Sequence, residues 1–280
     1  MKEQRPADFI LRFCTDIIGL QSLHFGLWSD EYPRTIEGLK QAQESYSLLL
    51  LDRIPAGTKT ILDAGCGTGE LTQKLVAKGY AATALTPDPY LAAIVTKRLG
   101  NTAKFALSKF EEYDTPEKFD VIVMSESCQY MSHHLTFPKA RQLLNPGGRM
   151  VISDYFRKNE TTYYETVWTD KEFTFRTKQN GFEVVSVDDI TDRTLPTLEV
   201  GNATYSKTIL PTIELIRDLF AHVCPKFIYR FLKFALRKWL NLATDFLYVK
   251  QPEQFDAKRF KEYVDYRVVV LQQTGSAPTA

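Results

Sequence analysis

Residues 60 to 70, Thr-Ile-Leu-Asp-Ala-Gly-Cys-Gly-Thr-Gly-Glu, constrain this chain more than any other stretch. Apolar β-formers run into an acid and then into glycines at every second position, so a strand ends in a turn with little room for side chains. Glycine tolerates φ > 0 and lets backbone N–H groups come up against a ligand. Gly65, Gly67 and Gly69 therefore read as a binding loop. It lies between a strand at 59–63 and a helix at 70–78, the context such a loop needs in order to count.

Spacing narrows the ligand. A GxGxxG dinucleotide fingerprint begun at Gly65 requires a small residue at position 70, which is Glu. A phosphate-cradling loop ends Gly-Lys-Ser/Thr, whereas this one ends Gly69-Glu70-Leu71. An acid in the first helical turn also repels phosphate. What fits is a ligand with an adenosine, no phosphate, and a cationic centre near Asp63.

From Thr58 onward strand and helix patterns alternate, the signature of an α/β fold with a parallel sheet. Strand candidates are 59–63, 80–85, 102–107, 119–125, 148–154 and 182–188, and Tyr263 to Gln272 reads as a last strand. Asn145-Pro146-Gly147-Gly148 is a turn before the fifth, because Pro cannot continue a helix and Gly supplies the reversal. Residues 5–52 read as helical, with Phe9, Ile10, Phe13, Ile17 and Leu20 at helical spacing and a second amphipathic run from 36 to 54. The connection 191–262 is too long for a structureless loop in a compact domain, so helices are expected there. The small polar tail from Gln273 is expected to fray.

Composition excludes several classes. With 35 basic and 34 acidic residues the net charge is +1, so no global field recruits nucleic acid, and no nucleic-acid module is recognised. Cys14, Cys66, Cys128 and Cys224 lack metal-ligand spacing and read as reduced thiols. A leader-like segment and a run of 18 apolar residues are both missing from the sequence, so a cytoplasmic protein is expected.

Asp63-Ala-Gly-Cys-Gly-Thr-Gly-Glu70 resembles motif I of the class I S-adenosyl-L-methionine (SAM) dependent methyltransferases, and Arg141 to Gly148 is similar to their "LKPGG"-like turn. The resemblance implies a Rossmann-like, seven-stranded, mostly parallel sheet with helices on both faces and an antiparallel last strand. It divides the chain into an N-terminal helical cover (1–55), a SAM-binding core (56–190), a helical lid between the sixth and seventh strands (191–262), and the last strand with its tail (263–280). SAM is the implied cofactor and S-adenosyl-L-homocysteine the product. Gly65, Cys66 and Gly67 would line the methionine part through their backbones, and Asp63 would bind the loop or the amino group.

The other expected site positions lie at the carboxyl ends of strands. Where many relatives carry an acid that bridges the ribose hydroxyls, this chain has Thr86, as in the cyclopropane fatty-acid synthase branch, with Asp88 two residues on. Asp88 before Pro89 is equally a helix cap. The acid that relatives place at the adenine is displaced, and Phe110 either stacks on that ring or belongs to the core. The run from Ser125 through Glu126-Ser-Cys-Gln-Tyr-Met resembles the E-S-G-E-H-M stretch of tocopherol and sterol C-methyltransferases, with Cys128, Gln129 and Tyr130 in place of Gly, Glu and His. Ser125 joins the cofactor contacts. Glu126 would face the transferring methyl as base or orienting carboxylate, or else cap the following helix. His24-Phe-Gly-Leu-Trp28-Ser-Asp30 resembles the H-Y-G-Y-W segment that folds over SAM and substrate in these branches, with Phe25 and Trp28 as core residues the competing reading. Tyr130, His133 and His24 complete the catalytic candidates. His133 and His134 have no third ligand at matching spacing, so no metal is expected.

Between Leu219 and Thr244 stand Lys226, Arg230, Lys233, Arg237 and Lys238 and no acid. Four of them step by four, three and four along one helical face, flanked by Phe227, Phe231 and Phe234. Such a helix reads as a peripheral membrane contact through 219–244 or as a lid presenting an apolar wall. The expected function is methyl transfer to a small, lipophilic acceptor, with carbon slightly favoured. O- or N-methylation of a small polar metabolite and a catalytically silent SAM-binding subunit remain as alternatives. Oligomeric state is not legible in the sequence.

Overall fold

The structure is a computed structural model that describes residues 11–158, 161, 163–245, 247–248 and 251–275. Phe9, Ile10 and the end of the tail lie outside them. A π-helical turn, Phe13–Ile17, opens the described chain. Helix α1, Ile36–Asp52, starts where the Thr35 side chain accepts from the Gly38 N–H. Strand β1, Thr60–Ala64, runs through the glycine loop into α2, Glu70–Ala77. Then come β2, Ala81–Thr86, and α3, Pro89–Leu99, whose cap is the Asp88 carboxylate and whose first residue is proline. Next are β3, Lys104–Leu107, and β4, Phe119–Ser125. A 3-10 turn, Cys128–Tyr130, and α4, Thr136–Leu143, lead to β5, Leu144–Arg157. Helix α5, Asp170–Gln179, is capped by Thr169 and precedes β6, Phe182–Asp189. A turn at Thr191–Thr194 leads to α6, Pro196–Thr204. Beyond it come α7, Leu210–Val223, α8, Lys226–Ala235, α9, Arg237–Asp245, and α10, Ala257–Tyr263, which feeds β7, Val264–Gln273.

Among the described residues seven strands form one sheet in the order β3-β2-β1-β4-β5-β7-β6. Strands β1 to β5 pair in parallel, and β7 runs antiparallel between β5 and β6. Successive residues of a strand point to opposite faces, so an unbroken apolar strand feeds two cores. Leu62, Ile122, Met124 and Ile152 pack with Phe137 and Leu143 of α4 and Phe173 of α5. Ile61, Val121, Val123 and Val151 pack with Tyr46 and Leu50 of α1 and Leu71 and Leu75 of α2. Each such side chain contributes about 1.5–3 kcal/mol relative to exposure, which clamps the helices to the sheet.

Three local expectations are corrected. Helix does not run through 5–52: residues 18–35 are irregular, because Gly19 at φ +73° ends the first turn and the following backbone groups bond elsewhere. Leu27 N–H donates to Ala42 and Trp28 N–H to Arg193, at 2.8 Å each. The Asn145–Gly148 turn does not precede the fifth strand but lies inside β5 as a bulge, since Leu144 pairs with Phe119 and Arg149 with Val121. The basic stripe is not one helix either. Pro225, with no N–H to give, stands at the break between α7 and α8, and a second break at Leu236 puts Arg237 at the start of α9.

The insertion between β6 and β7 has two parts. Leu198 of α6 and Phe260 of α10 are buried against the sheet, whereas α7 and α8 bury no residue.

Candidate functional site

The glycine loop uses its glycines differently. Gly65, at φ +85°, donates to Leu85 O at 2.8 Å, and a Cβ there would stand 2.3 Å from the Ser127 Cβ, so close packing excludes every side chain. Ser127 is held by a hydrogen bond from its Oγ to Ala64 O at 2.6 Å. Gly67, at φ +54°, has open space where a Cβ would project. Gly67 thus leaves room for a ligand against bare backbone. Cys66 is buried, its N–H bonded to Leu85 O, and burial raises its thiol well above the ordinary value.

Asp63 ends β1 almost fully buried. Its Oδ2 accepts from Thr72 Oγ1 at 2.5 Å, while Oδ1 has no hydrogen-bond partner among the described residues. Burial pushes the carboxyl up to about 7, against the lowering effect of Thr72. A buried acceptor left open costs free energy, so it calls for a donor. Glu70, next to the loop, accepts from Ser47 Oγ at 3.0 Å and pairs with Lys74.

A second carboxylate ends β4. Glu126 sits at φ +49°, uncommon for a non-glycine residue and found where surroundings over-determine the backbone. Its N–H donates to Ser153 O at 2.8 Å. Its Oε1 accepts from Phe25 N–H and from the Tyr266 hydroxyl, both at 2.5 Å. Burial pushes it up to about 7, with the Tyr266 and Phe25 donors acting in the opposite sense. Ser125 donates to the Tyr46 hydroxyl at 3.3 Å, and Tyr46 lies 3.0 Å from the Tyr266 hydroxyl. Around this chain Phe25, Tyr155, Phe260 and Tyr266 pack with ring centroids 5.5–6.3 Å apart. The floor is Asp154, buried, bonded to Gln129 N–H and Tyr155 N–H at 3.0 Å and pushed up to about 8 by burial.

The N-terminal segment covers both groups. Thr68 of the loop donates to Gln21 O, and Arg98 donates to Thr68 Oγ1 at 2.9 Å and to Gln21 Oε1 at 2.6 Å. Gln43 of α1 donates to His24 O at 2.7 Å. The His24 ring stacks on Tyr46 with centroids 4.2 Å apart, and burial lowers its pKa and keeps it neutral. Trp28 is a core residue whose Nε1 donates to Thr197 of α6 at 2.9 Å.

The remaining candidates are placed as follows. Thr86 is buried at the end of β2, and its Oγ1 accepts from Asp88 N–H at 3.3 Å. Asp88 Oδ1 caps α3, accepting from Tyr90 and Leu91 N–H at 2.8 and 3.1 Å. Phe110 is 3% exposed and packs in the core. Tyr130 is 77% exposed. His133 stacks on Trp168 at 3.8 Å and bonds Glu172 at 3.0 Å, away from the Glu126 contacts. Sequence reasoning missed Tyr46, Asp154 and Tyr266. The only available signal was a tyrosine at a core-facing strand position, where a buried hydroxyl must find a partner.

A sheet of this order with an antiparallel β7, and a glycine loop between β1 and its helix, defines a class I SAM-dependent methyltransferase. Residues 39–187 match the family model described as "Methyltransferase domain", and the chain belongs to that family. Over 170 residues it is 29% identical to an uncharacterized methyltransferase of Bacillus cytotoxicus and 28% identical to one of Bacillus cereus, each alignment covering 57% of this chain and 78% of the relative. Among solved structures it is similar in fold to a geranyl diphosphate C-methyltransferase from Streptomyces coelicolor A3(2), with a TM-score of 0.66, 17% identity and coverage of 98% and 94%. A mycolic acid cyclopropane synthase gives 0.67, 17%, 95% and 94%. The protein is a SAM-dependent methyltransferase. Its family match runs from α1 to β6 and takes in neither residues 1–38 nor the helices of 191–262.

Proposed function

We propose that this enzyme methylates a small, lipophilic acceptor, with carbon favoured over oxygen or nitrogen. The observation that carries this reading is Glu126, a half-buried carboxylate set among aromatic rings and hydroxyls with no ion pair among the described residues. Such surroundings stabilise positive charge as it develops on an electron-rich carbon. A solved neighbour named as a C-methyltransferase of geranyl diphosphate supports carbon as the acceptor atom, and one named as a mycolic acid cyclopropane synthase supports a lipophilic acceptor.

The loop fits the cofactor. The unpartnered Asp63 Oδ1 suits an ammonium group, and the open side of Gly67 leaves room for a ligand against backbone. Gly65, Cys66, Gly67, Thr86 and Ser125 would frame the rest. SAM supplies a sulfonium methyl that is already activated. The chain's task is then alignment and exclusion of water, which the Gln21–Trp28 cover performs by lying on the loop at Thr68 and on Glu126 at Phe25. The Glu126 carboxylate, held through Oε1, would take the proton that the acceptor gives up, or hold the acceptor in line.

The reading extends to peripheral membrane contact through 219–244. Its support is the solvent-facing Leu219, Phe220, Phe227, Phe231 and Phe234 interleaved with basic side chains. Incubation with methyl-labelled SAM and separate lipid and polar extracts tests the acceptor. Label in an apolar product bears the proposal out; label confined to polar O- or N-methyl products overturns it.

A further inference from the structure

Glu126 reaches the site bonded to two donors that the sequence places far away, and one of them comes from the last strand. We infer that Tyr266 of β7 is a positioning residue for methyl transfer: its phenol orients the Glu126 carboxylate and holds it in the proton-accepting form. The inference rests on the placement of Glu126 in the transfer site proposed above.

The geometry is specific. Antiparallel pairing sets Tyr266 opposite Tyr155 across β5 and β7, which fixes its ring in the aromatic packing around Phe25. From there its hydroxyl lies 2.5 Å from Glu126 Oε1 and 3.0 Å from the Tyr46 hydroxyl. An ionised carboxylate only accepts, and a phenol has one proton, so Tyr266 gives its proton to Glu126 and its oxygen takes one from Tyr46. Ser125 Oγ, 3.3 Å from Tyr46, extends the series. Successive hydrogen bonds polarise one another and strengthen the last donor. Titratable groups face Glu126 from every element around it. They are Tyr46 from α1, Tyr130 from the 3-10 turn, Asp154 and Tyr155 from β5, and Tyr266 from β7, while neutral His24 of the cover stacks on Tyr46. Apart from the Tyr266 phenol, the donor that Oε1 receives is the Phe25 N–H, which belongs to the irregular N-terminal segment, whereas β7 is an interior strand paired on both sides.

The test follows the Glu126 carboxyl directly, by carbon-13 NMR of full-length protein labelled at the glutamate carboxyl, with the resonance identified by its loss in Glu126→Gln. Tyr266→Phe keeps the ring and removes the donor. The Glu126 midpoint is expected to rise by about one pH unit, the size of a hydrogen bond to a charged acceptor. The acid limb of kcat/KM should move with it. Replacing Tyr266 by 3-fluorotyrosine, a stronger donor of nearly the same shape, should lower the midpoint. Unchanged midpoints in both variants overturn the inference. Midpoints that shift while Glu126→Gln turns over normally leave the coupling intact and remove the transfer-site reading beneath it.

Discussion

At the scale of single residues, the site separates groups that hold the fold from groups that face a ligand. Gly65 is a packing glycine, whereas Gly67 looks onto open space, so only the second can be changed without a clash. Gly67→Val should stay folded, at a backbone cost of about 1–2 kcal/mol for a side chain at positive φ, and should lose at least tenfold in affinity for S-adenosylhomocysteine. Calorimetric titration beside a melting curve checks both, and unaltered affinity in a folded variant would remove the loop from the binding site. Glu126→Gln is expected to keep that affinity and to lower turnover by about tenfold or more, the lower range for an acid–base group. Turnover near wild type would leave Glu126 as a structural acceptor for Phe25 and Tyr266. Asp63 and the glycines were legible in the sequence because their roles are local, a strand end and a turn. Tyr266 was not, since 140 residues separate it from Glu126 and no short-range pattern marks such a partner.

At the scale of elements, strands were read to within a few residues, because apolar runs bounded by turns leave little choice. Phe110 and the 145–148 turn were harder. Whether an aromatic side chain stacks on a ligand or fills a core, and whether a Pro-Gly-Gly ends a helix or bulges a strand, depends on the neighbouring strand. Helices α7 and α8 carry their own expectation. They bury no residue and expose apolar side chains beside Lys226, Arg230 and Lys233, and among the described residues no helix is long and apolar enough to cross a membrane. Wild-type protein should sediment with anionic vesicles at low salt and be released as salt rises. Replacing Lys226, Arg230, Lys233 and Arg237 by Gln should abolish that binding at about 1 kcal/mol per charge, without lowering the melting temperature. If wild type stays in the supernatant at low salt, the exposed apolar face belongs to another role, such as contact with a second copy.

At the scale of the whole molecule, the buried Asp63 and Asp154 and the half-buried Glu126 shape the response to pH. Asp63 and Glu126 are pushed up to about 7 and Asp154 to about 8, each by burial. Between their ordinary values near 4 and these raised ones the folded chain holds protons that the unfolded chain has released. Stability is therefore fully present at low pH and is lost as pH rises through 7 to 8. His24, lowered by burial, works in the opposite sense only below about 6.5. Melting temperatures of the ligand-free protein should accordingly fall from pH 6.5 to 8.5, and Asp154→Asn should flatten that decline. A melting temperature that rises over the same range would show these carboxyls to be ionised in the fold. Sequence by itself determined the alternating α/β architecture, the strand positions to within a few residues and the glycine loop between the first strand and its helix, because each follows from side-chain periodicity, glycine geometry or the spacing of a turn. Only tertiary structure decided which carboxylates lose their water, which hydroxyls meet them, and which helices of the long insertion stay uncovered. Burial and contact at a distance depend on the pairing of β7 with β5 and β6, and the chain's local pattern carries no record of it.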